Sequence, residues 1–296
     1  MPPRPRQPQR TPRSVVYRRR IVALVVLAAA FAIAWFAVAS VGGNDKKPPP
    51  APTVVAPPKP FRVVFPEGFT RREMAARTSA VAAIAHRERG RPVRLGETAY
   101  LAATARPRRQ PGFGTRRYPL EGFLFPATYD FTRRTSSAQL VAAQLKAFRT
   151  NWAKLDLAYA RSKNLTPYDV LTIASMVEEE TPAPEERQLV AAVIYNRLHR
   201  QMTLGIDSAL RYGLHIPGTE SIHESQLQNP TPYNLRIHAG LPPTPIGNPG
   251  LASLQAAAHP AKVDYLYFVA KPDKKHHFFT ASAAAFEAYK AAHGYR

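Results

Sequence analysis

The sequence predicts an α+β fold: helical patterns outnumber strand patterns, and the strands that are legible are short and far apart. Three observations carry this. Apolar residues recur at helical spacing between residues 137 and 200. The run YLYFVA at 265–270 is the clearest strand, and FRVVF at 61–65 is the next. Hydrophobic residues make up 45% of the 296, enough for a sizeable core.

The chain opens on seven arginines and no acid within its first twenty residues. Residues 21–41, IVALVVLAAAFAIAWFAVASV, then hold one polar side chain, Ser40. At about 1.5 Å per residue such a run crosses a hydrocarbon core of roughly 30 Å. The arginines are expected to stay on the cytoplasmic side, placing 42–296 outside. A cleaved signal peptide is the rival reading, although its apolar region would be about 7–15 residues. The expected organisation is a basic cytoplasmic tail at 1–20, a transmembrane helix at 21–41 and a Pro-rich linker at 42–60. A small subdomain at 61–112 and a larger domain at 113–296 follow. Seven prolines between 44 and 60 make the linker a semi-rigid, extended spacer.

Within 61–112, PEG is a turn and Thr70 an N-cap for the helix after it. Residues 105–117 are basic and aperiodic. The stretch 118–131, YPLEGFLFPATYDF, is aromatic and bounded by proline. Ser136 and Ser137 precede a helix expected to run to about Ser162. Thr166 caps the next, with Pro167 at its first position and Asp169 at its positive end. It ends at Glu180, stopped by Pro182 and Pro184. Another helix is expected from about Glu185 to Arg200. Residues 203–250 are poor in pattern, which suggests a functional surface. A short helix at 251–259, the strand at 265–270 and a terminal helix capped near Thr280 or Ser282 complete the reading.

The chain has no cysteine, which excludes disulfides and cysteine-ligated metal. Its nine histidines lack zinc-site spacing, and His223–Glu224 begins an HExxH-like string that fails at Leu227. Phosphate-loop, dinucleotide and GxSxG fingerprints are absent, so no cofactor is expected. The formal net charge of +21 suits an anionic polymer outside the membrane, and equally a biased composition; nucleic acid is not an expected partner.

Against that basic background, ASMVEEET at 174–181 gathers three acids. On a helix, Val170, Leu171, Ile173, Ala174 and Val177 form one apolar stripe. Glu179 falls opposite it, toward water, while Glu178 and Glu180 fall on its flanks, able to reach into a cleft. Glu180 also sits in the last turn, where unpaired carbonyls and partial burial both raise a carboxyl's pKa, as a proton donor requires. A solvated acidic helix end is the alternative.

Read with its surroundings, the chain resembles the endolytic murein transglycosylase (YceG-like) family. The resemblance rests on VFPEGFT, LEGFLFPATYDF, LTIASMVEEET, ERQLVAAVIYNRLHRQMTLGIDSALRYGL, YNLRIHAGLPPTPIGNPG, LQAAAHPAKVDYLYFVA and HHFFTASAAAFEAY, in the family's order. It implies a single N-terminal transmembrane helix, a truncated LysM-like small subdomain and a YceG-like mixed α+β catalytic domain. It implies cleavage of peptidoglycan glycan strands inside the chain, leaving 1,6-anhydromuramoyl ends, with the membrane bilayer and peptidoglycan synthases as partners. It assigns Glu180, followed by Thr181, as the catalytic acid and base, and Glu178 as the preceding acid. The chain departs from the pattern at Ala127, at Gly205 and Ile206, and in the first half of the LysM-like unit. Asp207 is a candidate cleft residue or a turn former. Tyr233 and Asn234 could hold sugar hydroxyls or belong to a rigid loop, and Asn248 could bind sugar or form a turn. Glu121 could orient the site or pair with Arg197, and His277 could contact ligand. A non-catalytic wall-binding scaffold, and a hydrolase adding Asp207 or Glu178 as second carboxylate, are the competing functions.

Overall fold

A computed structural model of the chain describes residues 13–41, 60–90 and 92–295. It divides into two compact units, 1–58 and 59–296. In the first, helix α1 runs Arg13–Val41. Its described side chains, 24–38, are all exposed and span about 22 Å of helix. Among the described residues no helix is long and apolar enough to cross a membrane. The expected linker lies outside the described residues, apart from Pro60.

The second unit is mixed α+β, with three two-stranded sheets among the described residues. Strand β1 (Phe61–Val64) leads through the PEG turn into α2 (Arg71–Arg89). Thr70 caps α2 in a full capping box with Glu73, satisfying two amides that a bare helix start leaves open. Helix α3 (Glu97–Thr104) and a two-residue hairpin, β2 (Arg108–Arg109) with β3 (Arg117–Tyr118), follow. Strand β4 (Thr128–Phe131) then returns to pair antiparallel with β1, Phe61 opposite Phe131 and Val64 opposite Thr128. The segment read as a small subdomain is thus laced to the segment after it, and residues 59–296 pack as one unit.

The helix expected at 137–162 is two. α4 (Ser137–Trp152) ends at a turn, and α5 (Ala158–Ser162) restarts where Asp156 accepts the Ala158 amide. Helix α6 (Pro167–Glu180) is capped as expected, by Thr166 and Asp169. A 3-10 turn at Pro184–Glu186 precedes α7 (Arg187–His199). The pattern-poor region holds two unexpected short helices, α8 (Asp207–Leu214) and α9 (Glu224–Leu227). Both are too short for the eleven-residue windows on which helical periodicity depends. After α10 (Leu251–Ala258), β5 (Tyr267–Ala270) pairs with β6 (His277–Thr280). The terminal helix α11 (Ala283–Ala292) is capped by Ser282, one of the two expected positions, with β6 just ahead of it.

Helix α6 forms the centre. Every residue from Val170 to Val177 is buried, including Thr172 and Ser175. A second focus is aromatic: Phe113, Phe123, Phe148 and Trp152 pack with ring centroids 4.7–6.0 Å apart. The LEGF turn joins the two. Gly122 takes φ +86°, and a Cβ there would lie 2.6 Å from Pro245 and 3.2 Å from Leu171. Gly122→Ala is expected to cost about 2–4 kcal/mol of stability, from left-handed strain plus overpacking. Calorimetry checks this, and a melting temperature within a degree of the parent would contradict it.

Candidate functional site

The three glutamates ending α6 diverge to three different neighbours. Glu178 turns toward α10. Its Oε2 accepts the Gly250 amide at 2.8 Å, its Oε1 lies 3.5 Å from the Arg187 guanidinium, and Arg187 Nε donates to Ser253. A buried carboxylate at a helix start, paired with a cation, is fully committed to holding α6, α7 and α10 together. That gives Glu178 a scaffold role, and it is not among the residues lining the cleft described next.

Glu179 is exposed, as its place opposite the apolar stripe predicts, but it opens on a cleft. The chain at 67–69 and 246–248 runs beside that end of the helix: Gly68 N–H donates to Asn248 O, and Asn248 N–H donates to Phe69 O. The backbones approach so closely that a Cβ at Gly247 would overlap the Gly68 carbonyl, and one at Gly68 would lie 2.6 Å from Glu179 Oε1. The Glu179 carboxyl faces a cleft of about 730 Å³, lined also by Glu67, Phe69, Glu121, Ser208, Tyr212 and Tyr233. Desolvation, reinforced by the charges of Glu73, Glu178 and Glu180, pushes it up to about 7. Burial and the neighbouring Glu178 charge also raise Glu67.

Glu180 is half-buried on the far flank, beside the start of α8. Burial raises its pKa, and the charge of Asp207 adds to this. The hydroxyl and amide of Ser208 and the charge of His277 act in the opposite direction. Ser208, not Glu180 itself, is the member of this group that lines the cleft. Two hydroxyls next to Glu180, Thr181 Oγ1 and Ser208 Oγ, are buried without a hydrogen-bond partner.

The remaining expected residues separate clearly. Asp207 is bound bidentately by Arg236, at 2.6 and 2.8 Å, on the surface. Tyr233 lines the cleft, its hydroxyl 2.8 Å from Thr244. Asn234 is fully buried; its amide donates to Leu227 and Asn229 carbonyls and its oxygen accepts from Arg236 N–H. Asn248 is fully buried too, donating to Phe69 O and Glu121 and accepting from Leu124 N–H. Neither asparagine has a group left for a sugar, so both are corrected from ligand to loop scaffold. Glu121 does not pair with Arg197, whose guanidinium is taken by the Leu204 and Leu266 carbonyls. Glu121 lines the cleft and accepts from Arg71 N–H, Asn248 and Tyr212. Burial pushes it up to about 7 despite those donors, which favour its charged form.

His277 is buried. Its Nδ1 lies 2.7 Å from Glu186 Oε2, and its amide donates to the same carboxylate at 3.1 Å. The neighbouring His276 contacts Glu185 at 3.2 Å and Asp273 at 2.8 Å. Two consecutive histidines, the first residue of β6 and the one before it, thus grip two consecutive glutamates in the turn after α6. Glu186, Ser208 and Glu67 were not singled out from the sequence. The paired doublets His276–His277 and Glu185–Glu186 were the one available signal.

A buried carboxyl whose folded pKa is raised contributes stability that is fully present below its unfolded value, near 4.5, and is lost as pH rises through about 7. The parent's melting temperature is therefore expected to fall from pH 5 to pH 8 more steeply than that of Glu121→Gln, which keeps an acceptor without a charge to ionise. Parallel pH dependences would refute the assignment.

Comparison with known proteins agrees with this architecture. Residues 51–292 match the YceG-like family. The endolytic murein transglycosylase of Bacillus subtilis is 38% identical over 159 residues, covering 52% of this chain and 43% of that protein. That of Streptococcus pneumoniae strain R6 is 40% identical over 161 residues, covering 52% and 28%. The chain thus matches less than half the length of these curated relatives. A crystal structure of a yceG-like protein from Listeria monocytogenes superposes with a TM-score of 0.63 at 29% identity, covering 78% of this chain and 76% of that one. With the match spanning most of its length and the fold shared, the chain belongs to the YceG-like family.

Proposed function

We propose that this protein is an endolytic lytic transglycosylase of peptidoglycan in which one carboxyl, Glu180, serves first as acid and then as base. The observation that carries the reading is the balance of influences on that group. Burial at the end of α6 favours the protonated form, while Ser208 and His277 favour the ionised one. A group that must give up a proton and take one back within a single turnover needs both states within reach.

The chemistry then needs no water. Glu180 protonates the glycosidic oxygen between the muramic acid C1 and the following glucosamine, and the C1–O bond breaks. The exocyclic C6 hydroxyl of the same muramic acid attacks C1 across the ring, and its proton passes to Glu180. A 1,6-anhydro end and a free glucosamine hydroxyl result, and the carboxyl is restored. Because the nucleophile is tethered, no second carboxylate has to activate it. The second groups expected for a hydrolase are engaged: Asp207 is held by Arg236 and Glu178 by Arg187 and Gly250.

One observation favours a hydrolytic variant. Glu179 faces the cleft with no ion pair or hydrogen bond among the described residues, at a pKa suited to a general base. Product mass separates the two, since the anhydro end is lighter by one water than a reducing end. For membrane placement, we propose that residues 21–41 anchor the chain and hold 42–296 outside, near newly made glycan and the synthases that make it. The apolar run and the seven preceding arginines support this.

Glu180→Gln in the full chain, incubated with purified sacculi, is expected to abolish release of anhydro-ended fragments while its melting temperature equals or exceeds the parent's. Mass spectrometry of the digest is the measurement. Unchanged anhydro release from Glu180→Gln sinks the assignment. Reducing ends from the parent, lost in Glu179→Gln, establish the hydrolase instead. Absence of any product from the parent leaves the wall-binding scaffold as the function.

A further inference from the structure

Helix α8 starts with no side-chain cap: Ile206 stands at the N-cap position and closes no hydrogen bond there. The open amides of its first turn therefore keep their partial positive charge. Ser208 is the second residue of that turn. It lines the 730 Å³ cleft, its hydroxyl is buried, and that hydroxyl has no hydrogen-bond partner. Both its hydroxyl and its amide bear on the Glu180 carboxyl, where they favour the charged form.

A buried hydroxyl left unpaired is unfavourable, and native proteins retain few of them. The cost is accounted for if the partner exists only during turnover. We propose that Ser208 is a positioning residue for Glu180, whose hydroxyl and amide, at the uncapped start of α8, hold the carboxylate that Glu180 becomes once it has protonated the leaving oxygen. This rests on the reading of Glu180 as acid and base.

The proton accounting is simple. Ser208 keeps its own proton throughout. While Glu180 is protonated, its carboxyl is a weak acceptor and the hydroxyl stays open. When the proton passes to the glycosidic oxygen, a full negative charge forms in a half-dry site, and the O–H and N–H of Ser208 close on it as charge-assisted hydrogen bonds. When the C6 hydroxyl returns a proton, the charge disappears and the contacts relax. The other groups bearing on Glu180 are Asp207 on α8, His277 on β6 and the adjacent Glu179 on α6. Asp207 and Glu179 oppose the ionised state, and His277 is gripped by Glu186. Ser208 is the member of this set that combines an open donor with access to the cleft.

The test measures anhydro-end release from purified sacculi by the full chain, across pH, for the parent, Ser208→Ala, Ser208→Thr and Glu180→Gln. Loss of the donor makes Glu180 a weaker acid. Ser208→Ala is therefore expected to lower kcat about tenfold or more with KM within about twofold. Activity requires protonated Glu180 at the outset, so the alkaline limb of the profile should move to higher pH. Ser208→Thr, which keeps the hydroxyl, should retain most of the rate and the parent profile. A Ser208→Ala enzyme with the parent's kcat and pH profile overturns the proposal while Glu180→Gln stays inactive. Equal losses in Ser208→Ala and Ser208→Thr without movement of the alkaline limb overturn it as well, showing a packing role. If Glu180→Gln itself retains the parent rate, the underlying assignment of the acid fails first.

Discussion

The enclosure of α6 is the constraint on which the rest of the structure depends. A helix with one solvent face ends in water, and acids in its last turn are unremarkable there. A helix buried from Val170 to Val177 on every side ends among other elements, and each acid must meet whatever packs there. The Gly250 cap of α10 supplies an amide, and Arg187 at the start of α7 a cation, for Glu178. The doubled loop at 67–69 and 246–248 borders Glu179, which stays exposed at the cleft. The opening turn of α8 receives Glu180. Three adjacent residues of one type thus acquire three environments, and their protonation follows environment more than residue type.

The cleft beside them is held by polar links. Asn248 joins the Phe69 carbonyl, the Leu124 amide and the Glu121 carboxyl, tying together segments far apart in the chain. Every polar atom of that side chain is used, which is the condition under which a buried amide rigidifies instead of weakening a core. Glu121 extends the network to the first turn of α2 and to Tyr212 on α8. The wall of the cleft and the turn that faces Glu180 are therefore parts of one hydrogen-bonded assembly.

Much of this was legible in the residues, for identifiable reasons. The caps of α2, α4 and α6 are local, and Thr70, Ser136 and Thr166 with their third-residue partners name them directly. The apolar stripe of α6 was visible, and its flank geometry singled out Glu180. What failed was non-local. That the exposed Glu179 borders a cleft depends on two loops folding back from more than sixty residues away, which no helical wheel represents. Asn234 and Asn248 were weighed as sugar ligands because their residue type binds sugars, yet packing consumed every donor and acceptor they have. Helix α8 was hidden by its length, and with it Ser208. Strand β6 was not read because Phe278 and Phe279 run straight into a helix-forming alanine tract, and only pairing with β5 distinguishes them.

The grip of His276 and His277 on Glu185 and Glu186 bears on how the protein is made. The turn that follows α6 finds its buried partner almost a hundred residues later in the chain. A polypeptide synthesised only as far as β5 already contains α6, α7 and α8, but nothing yet fastens that turn. Completion of the corner at the end of α6 thus coincides with arrival of the last hairpin, and a half-made molecule lacks the fastening that a finished one has.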